Sequence, residues 1–174
     1  MLTYENSCNL GEIGEKYVIE FTKWLNPKSE AIRITSKDDQ KNYGDFYWSF
    51  GGCTYSVDVK TEESDKYGNF FFEYWSNRKY KTLGWGPISK MSILAYLFIE
   101  DNKLYLINFQ NFKIWAYEQE NIFDFTLKPQ WKYSQLNDSW GYCVPISYCK
   151  KVPELELIEF DTERFYNEIY SEKL

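Results

Sequence analysis

The chain has 174 residues, enough for one domain with a proper core, and its 44% hydrophobic and 21% aromatic content excludes a disordered polymer. A formal net charge of −6 weighs against a protein that simply coats nucleic acid, but not against an enzyme that gathers carboxylates around a divalent ion. Histidine is absent. That removes Ser-His-Asp and Cys-His catalysis, phosphohistidine transfer and histidine-metal nucleases together, and leaves acid–base work to Asp, Glu, Lys, Tyr or water on a metal.

Cys8, Cys53, Cys143 and Cys149 show no C-x-x-C spacing, so neither a zinc site nor a disulfide framework is expected. Met1–Glu5 offers no basic region or apolar core of a secretory leader, and Ile93–Ile99 is too short an apolar run to span a bilayer. The expectation is a reducing compartment: the cytoplasm, or the bacterial host's cytoplasm if a phage encodes the chain.

In chain order, Ile13, Tyr17, Val18, Phe21, Trp24 and Leu25 recur at helical spacing, predicting a helix over 10–25 with Asn9 as N-cap and Asn26-Pro27 as its end. Ala31–Thr35 reads as a short strand and Ser36–Tyr43 as a polar loop. Gly44–Phe50 is a strand with Phe46, Trp48 and Phe50 on one face; Gly51-Gly52 then turns the chain into an antiparallel partner, Cys53–Thr61. Asn69–Trp75 is apolar almost throughout and predicts a buried strand. Ile93–Glu100 and Lys103–Phe109 flank a second hairpin turn at Asp101-Asn102, and Phe109–Gln119 reads as a helix. Residues 120–150 are aromatic-rich and irregular, with Cys143–Ile146 as a final edge strand, and Asp161–Lys173 is an acidic amphipathic helix capped by Asp161 or Thr162. The fold class is α+β, with an α/β-type core: a mixed sheet of about five strands flanked by helices. One domain, 1–174, is expected, with its core at about 9–118 and an aromatic-rich extension over 119–174.

The strand Cys53–Thr61 carries the chemistry. Alternation puts Ser56, Asp58 and Lys60 on one face and Tyr55, Val57 and Val59 on the other, holding a carboxylate and an ammonium about 7 Å apart along one edge. Asp45 enters the neighbouring strand. Taken alone, Asp-x-Lys is a weak motif that also describes a solvated strand face. Phosphodiester hydrolysis asks for a metal that polarises the phosphate and acidifies water, and Mg²⁺ is held by a few carboxylates and several waters. Asp45 and Asp58 could supply two ligands and the Val59 carbonyl a third; Glu15 could close the site from the helix, and Lys60 could orient water and stabilise developing charge.

With Gly11-x-x-Gly14-Glu15 ahead of Gly44-Asp45 and Asp58-Val59-Lys60, the chain resembles the PD-(D/E)XK nuclease superfamily, of restriction-endonuclease-like fold. The gap from Asp45 to Asp58 is similar to that of archaeal Holliday-junction resolvases. Asn69–Glu73, Gly84-Trp85, Ser89-Lys90 and Val144-Pro145-Ile146 look like small phage-type nucleases. The resemblance covers roughly the first 110 residues, with Tyr43 where the motif's name has Pro and Asp58 where Glu is commoner. It implies a Mg²⁺-dependent deoxyribonuclease (Mn²⁺ substituting) that cuts double-stranded or branched DNA to 5′-phosphate and 3′-hydroxyl ends. Asp45, Asp58 and Glu15 are then metal ligands and Lys60 the water-activating group. Only Glu15 matches the helix pattern, so Glu12 is expected to be solvated. Glu73 remains open between a site-facing acid and a solvent-facing edge residue.

Asn77–Lys90 holds Arg78, Lys79, Lys81 and Lys90 with no acid, interleaved with Tyr80 and Trp85. Cations fit phosphates and rings fit unstacked bases; alternatively this is a solvated loop whose Trp85 plugs the core. A homodimer is expected, since cutting two strands needs two sites and the aromatic excess leaves apolar surface to bury. A different class also suits the acidic charge: a non-catalytic DNA mimic or inhibitor of phage or defence systems on the same fold.

Overall fold

The computed structural model describes residues 4–130 and 138–169, with side chains from residue 10 onward. The first helix, α1 (Tyr4–Leu25), begins earlier than the periodicity predicts, so Asn9 lies inside it rather than capping it. Its buried stripe is Gly14, Tyr17, Val18, Phe21 and Thr22, while Ile13 and Leu25 are exposed. The stripe starts at Gly14 because α1 lies against the strand that carries Asp58. A Cβ on Gly14 would stand 1.8 Å from Thr61 Oγ1, so only glycine lets the helix come this close.

A six-stranded mixed sheet forms the centre. β1 (Glu30–Arg33), β2 (Phe46–Phe50) and β3 (Cys53–Glu62) run antiparallel in sequence order. Gly51 and Gly52, with φ of 58° and 81°, make the tight turn that sets Phe50 opposite Cys53. Between β1 and β2 the expected polar loop is instead a helix, α2 (Lys37–Tyr43). It buries no side chain and is held by its ends: Ser36 accepts from the Asp39 amide, Asp38 and Asp39 occupy the first turn, and Gly44 closes it. Such a helix shows no apolar period.

The chain then leaves the sheet through β4 (Asn69–Asn77), β5 (Thr82–Leu83) and a single turn, α3 (Trp85–Ile88), and returns as β6 (Ile93–Phe98), parallel to β3 with Asp58 beside Leu94 and Lys60 beside Tyr96. β6 pairs antiparallel with β7 (Lys103–Asn108) around Asn102 at φ 51°, and a strand the periodicity misses, further along the chain, closes the far edge. α4 (Phe109–Lys113) runs on into a π-helical turn, Ile114–Glu118, as the helical reading of 109–119 expects.

β8 (Thr126–Pro129) and β9 (Trp140–Pro145) join β4 and β5 in a separate four-stranded sheet, ordered β5-β4-β9-β8. This corrects two expectations: the Asn69–Trp75 strand belongs to a second sheet, and Cys143–Pro145 lies in a central strand rather than at an edge, because β9 is paired on both sides. After the short α5 (Ile146–Cys149) come the missed strand, β10 (Ile158–Asp161), and α6 (Glu163–Ile169), whose Glu163 amide is capped by Asp161 Oδ1 at 2.9 Å. The predicted extension of α6 past Ile169 lies outside the described residues.

The central sheet is covered on both faces. Val57, Val59, Ala95 and Leu97 pack with Tyr17, Val18 and Phe21 of α1 and Phe165 of α6. Leu94, Tyr96 and Phe98 point the other way, into a core shared with Phe70 and Phe72 of β4, Phe109 and Phe112. Alternation along β3 therefore turns Asp58 and Lys60 toward the second sheet. Among the described residues no helix is long and apolar enough to cross a membrane.

Gly44 is a tight joint of this frame, pressed against backbone. At φ +90° its missing Cβ would stand 2.6 Å from the Val57 carbonyl and 2.7 Å from Asp58 Cα. Gly44→Ala combines backbone strain with a clash against backbone, and is expected to cost about 2–4 kcal/mol, read as a lower denaturation midpoint. An unchanged midpoint would mean that this joint is slack.

Candidate active site

Three of the polar residues singled out in the sequence meet on two adjacent strands. The Asp45 amide donates to the Val57 carbonyl at 2.7 Å, and Asp45 Oδ2 accepts from the Val59 amide at 2.7 Å. These bonds dock the acid at the mouth of β2 against the middle of β3. Asp58 is 8% exposed and lies 2.5 Å from Lys60 Nζ through its Oδ2. That contact is an ion pair, and it is how the structure balances the buried Oδ2.

Enclosure sets the electrostatics. The Asp45 carboxyl is pushed up to about 7, first by burial and next by the Asp58 charge, against the opposing pull of Lys60 and the Val59 amide. Burial works against the Lys60 ammonium, but the carboxylates of Asp58, Asp45 and Glu73 outweigh it and hold its pKa above the ordinary lysine value. Lys60 is part-buried, its side chain keeping 31% exposure, and its Nζ stands 5.1 Å from the centre of the Trp85 ring.

Glu15 reaches this field from α1. Its carboxyl is raised by burial first, lowered by Arg33 and raised again by Glu12 and Asp58. An ion pair with Arg33 at 3.3 Å engages it, a partner nothing in the motif pattern announces. Glu12 is exposed. Glu73 faces the site's flank: it accepts from the Trp85 amide at 3.2 Å and from Ser139 Oγ at 2.6 Å.

Among the described residues no three acidic or thiol groups converge as a ready-made metal cage. The donors nevertheless suit a hard divalent ion, which needs few carboxylates. Two acids crowd one part-buried spot, and one of them holds its proton unusually tightly. A cation at Asp45 and Asp58 would relieve both conditions.

The basic stretch does not form one surface. Arg78, Lys79 and Lys81 are exposed in the β4–β5 turn, where the Arg78 guanidinium stacks 4.1 Å from the Trp140 ring and Asp138 accepts from the Arg78 and Lys79 amides. Trp85 stands apart from them, half-buried against Phe72 and Phe109 and turned to Lys60. Lys90 is exposed, its amide bound to the Asn42 carbonyl at 2.6 Å.

No family model matches the chain, and no curated protein matches it in sequence. Among solved structures, a bacterial homing endonuclease is similar, at 16% identity and a TM-score of 0.42 over 63% of this chain and 68% of that one.

Proposed function

We propose that the protein is a Mg²⁺-dependent deoxyribonuclease of the PD-(D/E)XK type, an endonuclease for double-stranded or branched DNA. The observation that carries this reading is the meeting of Asp45, Asp58 and Lys60 on adjacent strands, with the Asp45 carboxylate on the Val59 amide and the Asp58 carboxylate on the Lys60 ammonium. Asp45, Asp58 and the Val59 carbonyl would hold the ion, with Glu15 as accessory ligand. Bound there, the ion would polarise the phosphate and make water more acidic. Lys60, whose ammonium the surrounding carboxylates favour, would orient water and place its charge against the negative charge that develops on the phosphate. Asp45's hold on the Val59 amide keeps the two strands in register at the reacting centre.

The test is purified protein with Mg²⁺ or Mn²⁺ against linear, supercoiled, single-stranded and four-way-junction DNA, alongside a calorimetric Ca²⁺ titration. Cleavage leaving 5′-phosphates, with one cation bound per site, supports the reading. A protein that binds no cation and cuts nothing would instead be the non-catalytic mimic. For cutting both strands the proposal includes a homodimer, and double-strand cleavage by a species that light scattering shows to be monomeric would remove it.

The exposed turn offers phosphate contacts. Neutralising Arg78, Lys79 and Lys81 together is expected to weaken DNA binding in Ca²⁺ and to flatten the log–log salt dependence by about 0.9 per lost contact. Ca²⁺ affinity should stay as it was, since the proposed ligands lie on other strands. An unchanged slope would mean that the turn meets no DNA.

A further inference from the structure

Glu73 lies outside the acid pair, yet its contacts lead back to it. One carboxylate oxygen takes the Trp85 amide and the other the hydroxyl of Ser139, which is 2% exposed. The glycines on either side of Trp85 leave no room for change. A Cβ on Gly84 would stand 2.6 Å from Glu73 Oε2, and one on Gly86 would stand 2.5 Å from the Glu73 carbonyl. Gly84-Trp85-Gly86 is thus wrapped on Glu73, and the ring it presents lies under Lys60 with Phe72 and Phe109 packed against it.

Beside the charges of Asp45 and Glu73, Lys60 therefore has two close contacts of different kinds: the Asp58 carboxylate and an aromatic face. A carboxylate shared with a divalent cation holds an ammonium less strongly, whereas a ring attracts an ammonium and is no ligand for a hard ion. Resting on the nuclease reading above, we propose that Glu73 is a positioning residue: it seats Trp85 so that the indole keeps the Lys60 ammonium in place when Asp58 is committed to a cation. Both Glu73 oxygens are engaged, one by the Trp85 amide and the other by Ser139, which fixes how the carboxylate is turned. On this account the second sheet is part of the active site.

Two measurements test this, one independent of activity. Methylene protons held over a ring face resonate upfield, so in metal-free protein the Lys60 Hε signals should be shielded relative to exposed lysines. The shielding should persist in Glu73→Gln, which keeps an acceptor for the Trp85 amide, fade in Glu73→Ala and vanish in Trp85→Leu. In cleavage assays Glu73→Ala is expected to lose about tenfold or more in kcat with KM within about twofold, and Glu73→Gln to stay within about threefold of the parent. Trp85→Phe should outperform Trp85→Leu, which probes the ring without touching Glu73. Glu73→Ala added to Trp85→Leu should cost little more than Trp85→Leu alone. Unshifted Lys60 signals with full kcat in Glu73→Ala, or full additivity in the double variant, would overturn the assignment. Shielding that follows the variants in a protein that cuts no DNA would remove the nuclease reading and leave the seating of Lys60 by Glu73 and Trp85 standing.

Discussion

Asp58→Asn and Lys60→Ala are each expected to lower DNA cleavage by at least about a hundredfold while the chain still folds. That loss is about 2.7 kcal/mol of barrier, which an exposed polar pair on a strand would not supply, since such pairs contribute about 0–1 kcal/mol. Asp45→Ala belongs to the same set, because it removes the second acid and frees the Val59 amide together. Asp58→Glu should keep partial activity, since the longer side chain still reaches a cation. Circular dichroism and a cooperative melt would show the fold intact. Lys60→Ala should be the least stable, as it leaves Asp58 buried beside Asp45 without its ammonium. Cleavage near the parent level in either Asp variant would sink the assignment of the site.

The second large effect follows from Asp45. Its pKa in the folded chain, about 7, lies above the ordinary 3.8, so between those values the folded protein holds a proton that the unfolded chain releases. Metal-free stability is therefore expected to fall as pH rises from about 4 to about 7, by up to about 4 kcal/mol, and to level off above. Asp45→Asn should remove most of this slope, the raised Glu15 carboxyl keeping a smaller part of the same sign. A cation must displace the same proton, so Ca²⁺ affinity should drop by about tenfold for each pH unit below about 7. Thermal melts in chelator from pH 5 to 8 and calorimetry in buffers of different protonation enthalpy read both. A melting temperature that climbs across this window would mean that Asp45 is not the strained acid of the pair.

What was legible in the residues was local. The Gly51-Gly52 turn and the two-residue alternation were enough to place Asp58 and Lys60 on one face of β3 with β2 paired alongside, because register in a tight hairpin is set by neighbours in sequence. The α2 helix escaped notice because caps and first-turn acids hold it, with no apolar face to give a period. The second sheet escaped for a different reason: β4 finds its partner in β9, and nothing in Asn69–Trp75 says which strand completes it. The orientation of Glu73 is not readable in the residues for the same reason, since it depends on Ser139 and on the backbone of Trp85. Arg33 was likewise invisible as the partner of Glu15 until β1 and α1 were packed.

The pairing of Asn69 with Pro145 has a consequence for how the chain matures. As the polypeptide leaves the ribosome, β2 and β3 can close their hairpin at once, so Asp45 and Asp58 meet early. Ser139 and the strand that backs β4 are made far later, and contacts between distant segments are the slow ones to form. A nascent chain that has not reached Ser139 cannot yet make its bond to Glu73. The wall around Lys60 that Glu73 and Ser139 complete therefore depends on chain made well after the strand that carries Lys60.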